Sequence, residues 1–250
     1  MRLAIVGCSG SFPGPESPAS CYVVEHEGRH IVLDLGSGAF GALQRHVDVL
    51  ASDSIDAVVL SHLHPDHCLD LTAYYVARKY RPGGPGSPLA VLGPAGTAER
   101  LARAYDMPAS PGMTGVFEFR DHVEVTDIGP FRITTSLVVH PVPAYAIRVE
   151  AGGRALVYSG DTGVSEALVE LAQGADVALF EASFLRRHHN PPGLHLTAAE
   201  AAEHAVQAGV ERLILTHLVP WNDDAESLAE AAEVFRGDLS LARAGAVLEV

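Results

Sequence analysis

The sequence contains little of several residue types: among 250 residues there are three cysteines, one tryptophan and one lysine, Lys79. Cys8, Cys21 and Cys68 are odd in number and show no CxxC spacing, so no disulfide framework is predicted and a cytoplasmic location is expected. No apolar run reaches the length of a membrane span, and the start of the chain has the pattern of a strand. We therefore expect neither a disulfide-stabilised secreted scaffold nor a membrane protein.

Positive charge is also scarce. Seventeen Lys and Arg residues stand against 31 Asp and Glu residues, which gives a formal net charge of −14. Nonspecific nucleic-acid binding depends on basic side chains that neutralise phosphates, so this balance makes nucleic acid the less favoured partner. Hydrophobic residues make up 48% of the chain, enough for a sizeable core in one large or two small domains.

Histidine, in contrast, is concentrated in one stretch. The segment Ser61–His67 reads Ser-His-Leu-His-Pro-Asp-His and follows the apolar run Ala57–Leu60, which has the pattern of a buried strand. Strand side chains alternate with period two, so His62 and His64 are predicted to point to the same side. Imidazole and carboxylate ligands at this density suit Zn, Mn or Fe. Asp66 and His67 would add two further ligands at the start of a helix.

Further metal-ligand residues follow apolar segments downstream. His140 comes after Phe131–Val139, Asp161 after Ala155–Ser159, and His217 after Arg212–Thr216. A single histidine or aspartate of this kind is as often structural as functional. The repeated position just past the end of a hydrophobic strand favours a shared site.

This ordered set, His-x-His-x-Asp-His followed by a His, an Asp and a His, resembles the metallo-β-lactamase superfamily. Within it the chain is similar to the ribonuclease Z-like branch and to actinobacterial cyclic-nucleotide phosphodiesterases. The segments Cys8–Ser11 and Ser17–Ser20 carry the second similarity. The resemblance implies an α/β fold, a four-layer αββα sandwich, over residues 1–250 as one domain. It also implies a homodimer.

The resemblance assigns two divalent metal ions, with Zn²⁺ preferred and Mn²⁺ or Fe as alternatives. His62, His64 and His140 would hold one metal, Asp66, His67 and His217 the other, and Asp161 would bridge them. It further implies that Glu181, in Glu-Ala-Ser-Phe, and His195, in His-Leu-Thr, are catalytic together with Asp66. A histidine that a carboxylate orients can donate a proton to a leaving oxygen.

Two departures from ribonuclease Z bear on the substrate. That family has a long arm between the residues that correspond to His140 and Asp161, whereas here two predicted strands fill this segment. Its N-terminal loop carries basic residues, and residues 12–20 contain none. We therefore expect a small phosphodiester such as 3′,5′-cAMP as substrate. A tRNA 3′-end endonuclease and a non-catalytic metal-binding or sensory protein are the alternatives.

Four element predictions concern the sheets and helices around the site. The stretch Ala39–Leu50 is predicted to be one helix, and Phe117–Val125 is predicted to be a strand of a second sheet. Leu241–Val250 is predicted as a closing strand with a break at Gly245. Thr197 and Glu200 have the spacing of a capping box and predict a helix that extends to about Ala208.

Overall fold

A computed structural model describes residues 1–51 and 54–250, and in this part of the chain two seven-stranded sheets form the centre of the fold. The strands are β1 (Arg2–Gly7), β2 (Cys21–His26), β3 (Arg29–Leu33), β4 (Ala57–Val59), β5 (Leu89–Gly93), β6 (Phe117–Asp121), β7 (Val125–Ile128), β8 (Phe131–Leu137), β9 (Tyr145–Ala151), β10 (Arg154–Tyr158), β11 (Val177–Glu181), β12 (Arg212–Thr216), β13 (Asp238–Leu241) and β14 (Val247–Glu249).

The two sheets have the same plan. The first has the order β14-β1-β2-β3-β4-β5-β6 and the second the order β13-β12-β11-β10-β9-β8-β7. Each sheet is antiparallel on one side and parallel on the other: β3 to β6 run parallel, and so do β10 to β13. The parallel strands β4, β5 and β11 are buried along their length, as expected for strands covered on both faces.

Helices cover the outer face of each sheet. The helices are α1 (Ala39–Leu43), α2 (Pro65–Cys68), α3 (Leu71–Tyr80), α4 (Thr97–Ala104), α5 (Glu166–Ala172), α6 (Ala198–Ala208) and α7 (Asp224–Ala232). Helices α1, α3 and α4 pack on the first sheet, and α5, α6 and α7 pack on the second. A third apolar cluster, with members from both sheets, fills the space between them. Within the described residues, no helix is long and apolar enough to cross a membrane.

The layers therefore confirm the predicted αββα sandwich. The capping box at the start of α6 is also confirmed: the Thr197 side chain accepts from the Glu200 N–H, and the Glu200 side chain accepts from the Thr197 N–H. Together these contacts satisfy two backbone donors that the first turn of the helix would leave unpaired. This fixes Thr197, the N-cap of α6, two residues after His195.

The prediction for Phe117–Val125 was wrong. The stretch contains β6, which pairs parallel with β5 in the first sheet, and the start of β7, which pairs with β8 in the second. The chain thus crosses from one sheet to the other between Asp121 and Val125. Strand propensity is the same on both sides of the crossing, so local sequence does not reveal which sheet a strand joins.

Two further predictions had wrong boundaries. Helix α1 ends at Leu43, where the Arg45 and His46 N–H groups donate to carbonyls three residues back and leave the α-helical pattern. Further along, Asp48 Oδ1 accepts from the Leu50 and Ala51 N–H groups, local bonds that compete with a helix. At the C-terminal end, β14 pairs with β1 in the first sheet, whereas Leu241 ends β13 in the second. Gly245, with φ of +89°, lies in the connection between them.

Candidate metal centre

The predicted ligands meet at one edge of the sandwich. His62 and His64 follow β4, Asp161 follows β10, and His217 follows β12 directly. His140 lies in the loop after β8, three residues past the strand end. The carboxyl ends of parallel strands in both sheets thus supply the site, which is where open α/β sheets bind ligands.

The first cluster consists of His62, His64, His140 and Asp161, whose ligand-type atoms all lie within 4.8 Å of one another. His64 Nδ1 is 2.9 Å from His62 Nε2 and 3.4 Å from His140 Nε2. Asp161 Oδ2 is 3.6 Å from His62 Nε2. Three imidazole nitrogens and one carboxylate oxygen facing a common point form the donor set of a four-coordinate metal.

The second cluster consists of Asp66, His67, His217 and Asp161. Asp161 Oδ1 lies 3.2 Å from His67 Nε2 and 3.4 Å from His217 Nε2. Asp66 Oδ2 is 3.2 Å from His217 Nε2 and 3.4 Å from His67 Nε2. Helix α2, which Pro65 begins, places Asp66 and His67 on this side of the site.

Asp161 belongs to both clusters, and its environment fits a bridging role. Its Oδ2 is directed at the first cluster and its Oδ1 at the second. Oδ1 is buried and has no hydrogen-bond partner within residues 1–51 and 54–250. A buried carboxylate oxygen that accepts no hydrogen bond and faces two imidazole nitrogens is costly unless positive charge lies beside it, so the arrangement fits a carboxylate that coordinates cations. The donor sets indicate divalent metals.

Within the described residues, four of the five ligand histidines, His64 being the exception, have a partner on the ring nitrogen that faces away from the cluster. His67 Nδ1 donates to Asp34 Oδ2 (2.7 Å), and His140 Nδ1 donates to the Leu194 carbonyl (2.9 Å). His62 Nδ1 lies 3.1 Å from Ser61 Oγ. Partners of this kind hold the ring orientation and leave Nε2 free for a metal.

The pKa shifts differ between the two clusters. Burial lowers the pKa of His62, His64 and His140, which keeps these imidazoles in the neutral form that metals bind. Burial also acts to lower the pKa of His67, but Asp161 and Asp34 outweigh it and raise this pKa well above its usual value. Metal binding at His67 must therefore displace a proton.

Asp34 should determine how tightly the second metal is held. The side chain is fully buried, and its Oδ2 also accepts from the Tyr158 hydroxyl (2.7 Å). Asp34→Asn keeps the shape but removes the charge that polarises His67. We expect a 10- to 100-fold loss of metal affinity, measured by competition with a chromophoric chelator. Asp56→Asn, at the opposite end of β4, is the matched control, and an equal loss in both variants would contradict this role.

Glu181 and His195 lie next to the second cluster. Glu181 Oε1 is 2.8 Å from His195 Nδ1, and Glu181 is fully buried. Its other oxygen, Oε2, accepts from Ser183 Oγ (2.9 Å), and Ser183 Oγ lies 2.7 Å from His217 Nδ1. Glu181 therefore orients His195 directly and His217 through one hydroxyl. The predicted pair is in contact.

Opposing effects act on His195. Burial lowers its pKa, but the charge and hydrogen bond of Glu181, with the charge of Asp161, outweigh burial and raise the pKa to about 9. Because Glu181 takes Nδ1, the ring nitrogen left for a substrate is Nε2. The histidine is thus held as a proton donor near neutral pH.

The backbone around the second cluster is strained. Ser11, Asp34 and His217 have φ values of 61°, 56° and 54°, a left-handed region that non-glycine residues rarely adopt. Position 10 must be a glycine because the backbone of His217 lies very close to it: a Cβ there would be 2.4 Å from the His217 carbonyl oxygen. The loop that contains Gly10 and Ser11 therefore packs closely against the loop that contains His217.

Three supporting residues were missed by sequence reasoning: Ser61, Tyr158 and Ser183. Ser183 stands in the Glu181–Phe184 motif and could have been weighed there. Ser61 and Tyr158 carry no local signal, because their roles depend on Asp34, which is distant in sequence from Tyr158.

Comparisons with known proteins agree with this geometry. The family described as "Beta-lactamase superfamily domain" matches residues 29–218. An uncharacterized protein of Mycobacterium tuberculosis is 41% identical over 244 residues, which cover 95% of this chain and 88% of that protein. Ribonuclease Z of Mycolicibacterium gilvum is 30% identical over 253 residues, with 88% and 85% covered.

A relative of known structure has the same fold as this chain. The probable metallo-hydrolase YhfI of Bacillus subtilis is 28% identical over 257 residues, which cover 100% of both proteins. The crystal structure of YhfI superimposes with a TM-score of 0.87 over 99% of each chain, at 26% identity.

Proposed function

This chain belongs to the metallo-β-lactamase superfamily and is a metal-dependent hydrolase, and we propose that it hydrolyses a small phosphodiester, a 3′,5′-cyclic nucleotide such as cAMP, to the nucleoside monophosphate. The observation that carries the proposal is the pair of ligand clusters joined by Asp161, with the Glu181–His195 pair beside them. Two metal positions and a proton donor are the parts that phosphodiester cleavage uses.

The metals, when bound, would lower the pKa of water, neutralise phosphoryl charge and orient the phosphodiester. His62, His64 and His140 would hold one ion, Asp66, His67 and His217 the other, with Asp161 shared. We propose zinc, because imidazole and carboxylate sets of four are typical of it.

His195 would act on the leaving group. Its Nδ1 donates to Glu181, which orients the ring, and its Nε2 would deliver a proton to the departing 3′-oxygen. An alkoxide is a poor leaving group unless it is protonated, so a positioned acid lowers the barrier. Glu181 stabilises the imidazolium before the transfer. Asp66 would contribute as a ligand in the second cluster.

Two features support a small substrate. Strands β9 and β10 pair as a hairpin that fills most of the segment between His140 and Asp161, which leaves no long arm there. The basic residues nearest to His195 in the sequence, Arg186 and Arg187, form ion pairs with Glu203 and Glu226 respectively. With a net charge of −14, the surface is poorly suited to a long polyanion.

The second candidate is tRNA 3′-end processing, which the 30% identity to a ribonuclease Z favours. A binding or sensory protein is less well supported, because metal binding alone requires no Glu181–His195 pair. Our proposal keeps the cytosol as the compartment, where Cys8, Cys21 and Cys68 would stay reduced, as their free thiols require. A homodimer stays a prediction.

Parallel assays of the zinc-loaded protein test the proposal. We expect turnover of 3′,5′-cAMP, measured as AMP release, and weak or no cleavage of a pre-tRNA with a 3′ trailer. A double variant of His62 and His64 to alanine, which removes two first-cluster ligands, controls for contaminating phosphodiesterase. Efficient pre-tRNA processing without cyclic-nucleotide turnover would reverse the ranking, and turnover of neither would contradict both.

A further inference from the structure

Two aromatic side chains lie exposed beside the second ligand cluster. Phe12 is 42% exposed and Trp221 is 66% exposed, and their ring centroids are 5.7 Å apart at an interplanar angle of 38°. The other exposed aromatic side chains in the described part of the chain are Tyr80 and Tyr105. Two exposed apolar rings that contact each other beside a ligand cluster indicate a surface for binding a ligand.

Both rings belong to loops whose backbones contact His217 or its neighbour Leu218. The Ser11 N–H lies 3.2 Å from His217 Nε2, the nitrogen directed at the second cluster, and Phe12 is the next residue. Successive Cα atoms are about 3.8 Å apart, so the Phe12 backbone is within one residue of a ligand. The Gly10 N–H also donates to the Leu218 carbonyl (3.0 Å), which joins the two loops.

The loop that carries Trp221 is anchored at both ends. Leu218 N–H donates to the Cys8 carbonyl (3.0 Å), and the Asn222 side chain donates to the Ser183 carbonyl (2.9 Å). Ser183 is the residue that contacts His217 Nδ1. Trp221 therefore lies on a short turn that is attached to residues supporting the metal centre, so little backbone entropy is lost when a ligand binds there.

From this juxtaposition we propose that Phe12 and Trp221 form the binding site for the nucleobase of the substrate. The inference rests on the proposed function and deepens it, because it selects nucleotides among small phosphodiesters. Aromatic rings bind bases by stacking, and every base offers a π-face. No basic side chain is needed at this position, which agrees with residues 12–20, where none occurs.

The binding of AMP, the product, offers a readout that is independent of turnover. Trp221 is the only tryptophan in the chain, so intrinsic tryptophan fluorescence reports on this surface alone. We expect AMP to quench it saturably in the zinc-loaded protein and ribose 5-phosphate to leave it unchanged. Phe12→Ala should raise the Kd for AMP by about 5- to 150-fold, because stacking contributes about that much per base. In the cAMP assay, Trp221→Ala should raise KM by a similar factor.

Tyr80→Ala is the matched control, because Tyr80 is 68% exposed and ends α3, away from the ligand clusters. Zinc content checks that each variant retains the centre.

Equal quenching by ribose 5-phosphate, or an unchanged KM for cAMP in Trp221→Ala, would overturn the inference while leaving the proposed function intact. A fluorescence change that follows protein concentration would assign the surface to a second copy and also overturn it. Quenching by AMP in a protein that cleaves no phosphodiester would support the nucleobase site and refute the proposed function.

Discussion

Asp161→Ala is expected to reduce metal content to well below two equivalents per chain and to lower phosphodiesterase activity by on the order of 10³-fold or more. The reason is that one carboxylate serves both clusters: Oδ2 faces His62, and Oδ1 faces His67 and His217. Its removal deletes a ligand from each set and the negative charge that offsets two cations. Elemental analysis after gel filtration measures the loss.

Asp127→Ala is the control for Asp161→Ala, since Asp127 is an exposed carboxylate in β7 of the second sheet. Circular dichroism establishes that both variants are folded. Two tightly bound metals per chain in Asp161→Ala would show that the carboxylate does not bridge. Loss of one metal with the other unaffected would assign Asp161 to a single cluster.

His195→Ala should lower kcat for cAMP by on the order of 10²–10⁴-fold while metal content stays intact. His195 contacts Glu181 at 2.8 Å, and it belongs to neither of the clusters joined by Asp161. The defect should shrink sharply on bis(p-nitrophenyl) phosphate, because nitrophenolate leaves without a proton. The comparison of the two substrates separates proton donation from positioning.

His189→Ala, in the exposed loop before His195, is the matched control and should leave kcat unchanged. If His195→Ala loses the same factor on both substrates, His195 positions or binds the phosphate, and the acid role is refuted. A variant with less zinc than wild type would instead indicate that His195 supports the metal centre.

The fold, and the convergence of the candidate ligands at one sheet edge, could be predicted from the sequence for a physical reason. His62, Asp161 and His217 each follow a strand of apolar residues, and buried parallel strands end at a common edge. Each of these signals depends only on the strand that precedes it, so it can be recognised locally in the sequence. The Glu181–His195 contact was also anticipated, although 14 residues separate the two, because the resemblance supplied the pair.

The remaining features depend on contacts that no local pattern encodes. The crossing of the chain between β6 and β7, and again between β13 and β14, is decided by which edge strand is free to pair. The residues that support the metal centre also lack a local signal. Ser183, for example, is recognisable as one only once its distance to His217 is known. The pairing of Phe12 with Trp221 joins residues over 200 positions apart, so neither could be identified as part of a pair from sequence.

Metal titration of the metal-free protein tests the central claim most directly. Zinc is added in steps to the wild type, and initial rates on bis(p-nitrophenyl) phosphate are recorded at each step alongside the zinc bound. The two clusters joined by Asp161 predict that activity rises until two equivalents per chain are bound and then stays constant. Full activity at one equivalent or in the absence of metal would contradict a dinuclear hydrolase.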